Sequence, residues 1–329
     1  MPRAPLARAF EARMTRRFLL FFLLLPLAAA AQMPAQHAVS VTFDDLPFAA
    51  VPADDPATLD SMTRRLLQHL QTLQVPAVGF VNEAKLARED QPDPARVELL
   101  RHWLKAGFEL GNHTYSHPSL NRVPLDVFQA DLLQGETVTR PLMQSEGRSL
   151  RWFRHPFLHR GKTAEVRSAF QGFLAAHGYR VAPVTVNNSE WVFAAAYSRA
   201  LAQGDEDAAR RIGAAYVPYM EVVFAQAEQL TLDLFGRPIP HVLVLHANAL
   251  NAEYFDALAA MLRQRGYRFI SLDDALRDSA YASPAGSGGI EGESWLEGWA
   301  RDAGLRPLQS PPVPGFVRQW SGPAAYRGY

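Results

Sequence analysis

The chain contains no cysteine, so neither disulfides nor thiolate ligands are available, and any metal site must be built from His, Asp and Glu. It has no excess charge of either sign, because 33 Lys and Arg balance 33 Asp and Glu. That balance removes the broad positive field that gathers nucleic acid or an anionic membrane surface, and no nucleic-acid partner is expected. The apolar run Phe18–Leu27 is too short to span a bilayer comfortably as a permanent anchor. Arg16 and Arg17 precede it and Ala28–Ala31 follow, which is the three-part plan of a secretory signal peptide over residues 1–31. The other reading of this segment is a retained N-terminal anchor. Cleavage after Ala31 leaves a chain beginning near Gln32, Met14 is an alternative start, and the paired arginines hint at twin-arginine export. The expectation is an exported protein, periplasmic or extracellular, with no stable membrane anchor after cleavage.

What the chain does have is apolar content of 48%, enough for a sizeable core. Short apolar segments alternate with helical stretches, as in a parallel α/β sheet or barrel. Strands are expected at Ala38–Phe43, Ala77–Val81, Phe108–Gly111, Leu150–Phe153, Tyr179–Val186, His241–Leu245 and Tyr267–Ser271. Helices are expected at Ala57–Leu73, Pro94–Ala106, Leu125–Met143, Thr163–His177 and Ala252–Gln264, and Gly107, Gly178 and Gly266 each stop a helix before a strand. The interval Glu190–Pro240 is too long for a plain connection and rich in Ala, Leu and Glu. It reads as a helical insertion over about 192–240, breaking near Gly204–Asp207. From 283 the composition turns to Ser, Gly and Pro around a short Trp-bearing helix, Ser294–Ala303. Trp295, Trp299 and Trp320 suit pinning this extension to its domain better than stacking on a sugar.

Four segments at expected strand ends carry candidate chemistry. Thr42-Phe43-Asp44-Asp45-Leu46-Pro47 offers two adjacent carboxylates where α/β proteins place active sites, although such a pair before proline is also an ordinary solvated turn. His113 and His117 are spaced i, i+4. In a turn of helix they share a face and converge on one ion, or they form a hydrogen-bonded structural pair. Arg154-His155-Pro156-Phe157 and His246 follow two further apolar runs. Alone, each reads as readily as a buried ion-pair partner or a core histidine. Together they supply the residue types that metal-assisted hydrolysis needs.

In order, these segments resemble the signature motifs of the polysaccharide deacetylases, the NodB-homology family (carbohydrate esterase family 4), over roughly Ala38–Ala280. The resemblance implies an α/β fold, a distorted (β/α) barrel, here with a helical insertion and a C-terminal extension. It implies a bound divalent metal, usually Zn2+, and removal of acetyl groups from an acetylated carbohydrate. By position, Asp45, His113 and His117 become the metal ligands, Asp44 the general base, and Arg154 the partner that holds Asp44 ionised. Pro156 and Phe157 stand near the oxyanion through the Phe157 backbone N–H, and His246 protonates the leaving group. Two departures stand out. Leu46 replaces the family glycine, and the fourth motif, normally an Asp near Trp, reads Asn187-Asn188-Ser189-Glu190-Trp191. Glu190 or Asn188 is then the partner of His246, with Trp191 beside the substrate. His155 and His159 suit surface or packing roles. Competing readings are a hydrolase of another small C–N substrate, a non-catalytic carbohydrate-binding relative, and an oxygenase that uses two His and a carboxylate.

Overall fold

In the computed structural model, which describes residues 37–89, 91–283, 292–306 and 308–322, the chain winds a parallel sheet with helices packed outside it. The signal segment, its cleavage point and Met14 lie outside the described residues. The strands are β1 (His37–Leu46), β2 (Ala77–Val81), β3 (Ala87–Arg88), β4 (Gln91–Pro92), β5 (Glu109–Asn112), β6 (Trp152–Phe153), β7 (Arg180–Val181), β8 (His241–His246) and β9 (Tyr267–Phe269). The main sheet runs β7-β6-β5-β2-β1-β8, all parallel, with β9 paired to the first residues of β1; β3 and β4 form a separate antiparallel hairpin. Beyond β7 the chain crosses to the opposite edge, where Val186 bridges Leu243 in parallel. Thr185 and Val186 both donate to the Val242 carbonyl there, at 3.0 and 3.1 Å. The sheet is thus curled into a distorted barrel closed through this bridge.

The helices are α1 (Pro56–Thr72), α2 (Pro94–Lys105), α3 (Leu125–Gln134), α4 (Thr139–Ser145), α5 (Ala164–Ala176), α6 (Glu190–Ala202), α7 (Glu206–Phe235), α8 (Ala249–Gln264), α9 (Leu272–Ala275), α10 (Trp295–Asp302) and α11 (Gly315–Ser321). Local chemistry sets many of their starts. Asp55 and Asp93 cap α1 and α2, each with proline as the next residue, and Thr163 and Asn248 cap α5 and α8. None of the helices among the described residues is long and apolar enough to cross a membrane.

Strand alternation divides the core. One face of the sheet packs under the helices through residues such as Val41, Phe43 and Leu110. The other face fills the barrel with Ala38, Val78, Phe80, Trp152, Ala182 and Val242. Above that plug stand the polar ends of the same inward rows.

Three expectations need correction. β1 runs through the Asp pair to Leu46, so the carboxylates end the strand instead of following it. The expected strands at Leu150 and Tyr179 keep only two residues each in the sheet, because the chain past β7 leaves to cross the barrel. The single helix expected over Leu125–Met143 is two helices broken at Gly135. The break is tertiary in origin: the buried Glu83 carboxylate accepts the Val138 and Thr139 N–H groups that open α4. Beyond these, the C-terminal extension contains α11, which packs on α6. The fold class otherwise stands as the sequence implied, and the interval beyond Glu190 forms α6 and α7 with their break at 203–205. Trp295 and Trp299 are buried, the latter edge-on to Phe235 and Tyr281 at 5.7 Å, so they pin the C-terminal segment.

Gly135 is also a spacer. A Cβ there would meet the Thr114 carbonyl carbon at 2.4 Å and the Tyr115 nitrogen at 2.6 Å. Gly135→Ala is therefore expected to destabilise the protein by about 1–3 kcal/mol, read as a lower denaturant midpoint. An unchanged midpoint would contradict this packing.

Candidate metal centre and catalytic cleft

The Asp45 carboxylate ends β1, and His113 and His117 lie in the loop after β5. The expected helical turn across the histidines is absent. Thr114 and His117 instead adopt left-handed backbone angles (φ 68° and 59°). Asp131 at the end of α3 holds the loop by accepting from the Tyr115 and Ser116 N–H groups at 2.9 and 3.0 Å. The i, i+4 spacing therefore converges through a pinned loop. The two imidazoles stand edge to face, 4.9 Å between ring centres. Asp45 Oδ1 lies 3.8 Å from His113 Nε2 and 3.7 Å from His117 Nε2.

Asp45 Oδ1 is buried and has no hydrogen-bond partner, while Lys85 Nζ occupies the other carboxylate oxygen at 3.2 Å. His113 Nδ1 lies 2.8 Å from the Arg154 carbonyl oxygen. Only the ring can donate there, so the proton sits on Nδ1 and the Nε2 lone pair faces Asp45. Ligands on a tetrahedral ion stand about 3.4 Å apart, so a small contraction of this triangle accommodates one. Burial pushes the pKa of His113 and His117 down, which keeps both imidazoles neutral and able to ligate. Burial acts to raise the Asp45 carboxyl, but Lys85 and the neighbouring histidines outweigh it and hold the group ionised. The donor set fits a divalent cation.

Asp44, on the inward row of β1, is buried beside this triangle, 3.8 Å from His113 Nε2. Burial pushes its carboxyl up to about 6 against the pull of Arg154. Arg154 is fully buried and stacked 4.7 Å from the Phe80 ring centre. It donates to Asp44 Oδ2 at 3.3 Å, Thr42 Oγ1 at 2.9 Å and the Ala182 carbonyl at 3.0 Å. Beside Asp44 on the neighbouring strand β8, His246 Nδ1 donates to Glu190 Oε2 at 2.7 Å. The buried Glu190 also accepts from the side chains of Asn248 and Asn251. Of the two residues considered for the His246 partner, Glu190 makes the contact. Asn188 instead accepts from the Glu190 N–H at 2.9 Å and donates to the Val244 carbonyl. Burial acts to lower the His246 pKa, but Glu190, together with Asp45 and Asp44, outweighs it and holds the pKa up.

Asp44, His113, His117 and His246 line one cleft of about 590 Å3, with Trp191 on its wall. Pro156 is buried, and Phe157, in the left-handed region (φ 57°), sets its ring 4.3 Å from that of His117. His155 and His159 also line the cleft and are buried, so they are not surface residues. His155 packs edge-on to Phe153 at 5.0 Å, and His159 Nδ1 lies 2.7 Å from Ser119 Oγ.

Residues 31–176 match the family model for polysaccharide deacetylase. Over that segment, just under half of the chain, the protein resembles the polysaccharide deacetylases. Among solved structures it is similar to a family 4 carbohydrate esterase from Streptomyces lividans in complex with acetate (18% identity, 73% of this chain and 96% of that one, TM-score 0.44). It is also similar to peptidoglycan deacetylase PdaC from Bacillus subtilis (20%, 74% and 94%, TM-score 0.44) and to a CE4-family pseudoenzyme from Bacillus anthracis (16%, 74% and 66%, TM-score 0.46).

The Leu46 departure is absorbed by a neighbouring strand. Leu46 is fully buried, and a Cβ on Gly79 would come within 2.4 Å of its Cδ2, so Gly79 provides the room that Leu46 fills. Sequence reasoning missed Lys85, Thr42, Asn248 and Asn251. Lys85 follows a strand end, as the motif residues do, and Asn248 stands where a helix cap belongs; those were the available signals. Two outcomes are expected. Asp45→Ala and His117→Ala should each weaken zinc binding roughly 100-fold or more, by competition with a chelator. In metal-free protein, NMR titration of His113 and His117 should give midpoints below the ordinary 6.5, and midpoints at or above it would contradict the burial argument.

Proposed function

We propose that this protein is a metal-dependent deacetylase that hydrolyses acetyl groups, N-acetyl foremost, from a carbohydrate outside the cytoplasm. The observation that carries the reading is the pairing of an unpartnered, buried Asp45 oxygen between two imidazoles with a candidate base and acid, Asp44 and His246, on neighbouring strands lining one cleft. A divalent cation, zinc being the usual one, held by Asp45, His113 and His117 would acidify a water and polarise the acetyl carbonyl.

The chain's own residues do the rest. Asp44, next to a ligand but hydrogen-bonded to Arg154, accepts the water proton; Arg154 orients its carboxylate and favours the ionised form. The Phe157 backbone N–H donates to the developing oxyanion, and the left-handed turn at Phe157 and Leu158 brings that stretch against the cleft. His246 donates a proton to the departing amine or alkoxide. Glu190 orients the imidazole and keeps it protonated, the part that an Asp plays in the family's usual fourth motif. Trp191 forms substrate wall. Removal of residues 1–31 as a signal peptide, export to the periplasm or beyond, and 283–329 as a C-terminal extension of the domain belong to the same proposal.

Asp44→Asn should retain zinc and lose acetate release on acetylated chito-oligosaccharides by roughly 10²–10⁴-fold; retained activity removes Asp44 as base. The pH profile tests the acid arm. His246 must be protonated to donate, so activity falls as pH rises through its pKa, which Glu190 holds up. Glu190→Gln should shift the alkaline limb to lower pH. An unmoved limb would dismiss the pair as acid arm.

A further inference from the structure

A second groove of about 800 Å3 runs between α5, the β7 region and Trp295. His155 lines both this groove and the catalytic cleft, so the two are adjacent. The groove holds an unsatisfied cation. Arg160 is 4% exposed, with its guanidinium carbon 4.5 Å from the Trp295 ring centre, yet Nε and both terminal nitrogens make no hydrogen bond. His155 Nδ1, also buried, lacks a partner too. A buried guanidinium normally satisfies its fork of donors, because burying that charge unpaired is strongly unfavourable. The other buried arginines are better satisfied: Arg154 makes the three side-chain bonds given above, and Arg96 bonds Asp54 and the Lys85 carbonyl through its terminal nitrogens, with only its Nε unbonded.

The charged groups around Arg160 are the cations Arg167 and Arg301 and the anions Glu293 and Asp302. Glu293 is bonded to Arg301 at 2.5 Å, and Arg167 donates to the Gly161 carbonyl at 3.1 Å. Of these groups, Arg160 is the one whose side-chain nitrogens are unbonded.

We propose that this groove is a subsite for a carboxylate carried on the carbohydrate, so that the substrate is an acidic polymer with a carboxylate-bearing sugar near the acetylated one. The inference rests on the deacetylase reading of the neighbouring cleft. Stacking on Trp295 holds the guanidinium at the groove wall; its nitrogens are covered in this structure, so a planar carboxylate entering the groove displaces that cover to make two parallel hydrogen bonds with its edge. The groove is wide enough for a sugar ring. Arg160 acts as a specificity residue and takes no part in bond breaking.

The test uses zinc-loaded full chain carrying Asp44→Asn, titrated calorimetrically with two tetrasaccharides: one alternating N-acetylglucosamine with glucuronate, the other the neutral N-acetylglucosamine tetramer. The acidic ligand should bind roughly tenfold tighter or more. Arg160→Met should abolish that preference while leaving the melting temperature unchanged or higher, since an unpaired buried charge is removed. Arg160→Lys, which keeps the charge and loses the fork, should retain only part of the preference. Equal binding of the two tetrasaccharides overturns the proposal. So does a preference unchanged in both variants with a lowered melting temperature, which would make Arg160 a structural cation. Sodium phosphate displacing the acidic ligand more effectively than sodium glucuronate would make this a free-anion site and overturn the assignment. Acetate release is measured separately without Asp44→Asn. No release from either tetrasaccharide, with the binding preference intact, supports the subsite and counts against the deacetylase reading alone.

Discussion

The buried contact between Arg154 and Asp44 organises the site. The Arg154 side chain reaches the carboxylate on the end of β1, while its backbone carbonyl receives the Nδ1 proton of His113 and its N–H donates to the Asn112 carbonyl. One residue therefore orients the proposed base and fixes the tautomer of a proposed ligand. Burying such a pair adds little net stability, because desolvation offsets much of the attraction. Its consequence is geometric: the base, the metal triangle and the end of β6 cannot move independently.

That constraint works alongside local backbone strain. Asp45, Thr114, His117, Phe157 and Leu158 all have positive φ, each costing about 1–2 kcal/mol for a non-glycine residue. Surrounding structure overcomes this. Asn112 and Asp131 side chains accept loop N–H groups, and Gly135 lets α3 end against the Thr114–Tyr115 backbone. Strain concentrated where side chains must converge is the expected pattern for a functional site.

The cleft has two sources. The segment matched by the family model, 31–176, supplies Asp44, Asp45, the histidine pair and Arg154. The later chain supplies His246 from β8 and Glu190 from the start of α6. Glu190 sits among Asn248, Asn251 and, through its N–H, Asn188, so a long carboxylate reaches His246 from the first turn of a helix. The C-terminal segment closes the far side: the Trp295 N–H donates to the Val184 carbonyl at 2.7 Å, placing the indole over Arg160.

Residues adjacent in the chain made much of this legible from sequence. The strand–helix alternation, the absence of thiolate ligands and the short motifs Thr42–Pro47, His113–His117 and Arg154–Phe157 are local patterns, and local patterns survive without coordinates. Contacts between distant residues do not. Nothing near Leu125–Met143 in sequence shows that Glu83 will cap α4 there, and helical spacing at His113 and His117 gave no sign of a left-handed loop pinned by Asp131. The choice of Glu190 over Asn188 likewise depended on where α6 begins relative to β8, separated by more than 50 residues in the chain. Sequence by itself determined which residue types were available for a metal, a base and an acid, because that is chemistry carried by side chains. Only the tertiary structure decided which of them meet, and which cation was left buried without a partner, because hydrogen bonds and desolvation are properties of neighbours in space.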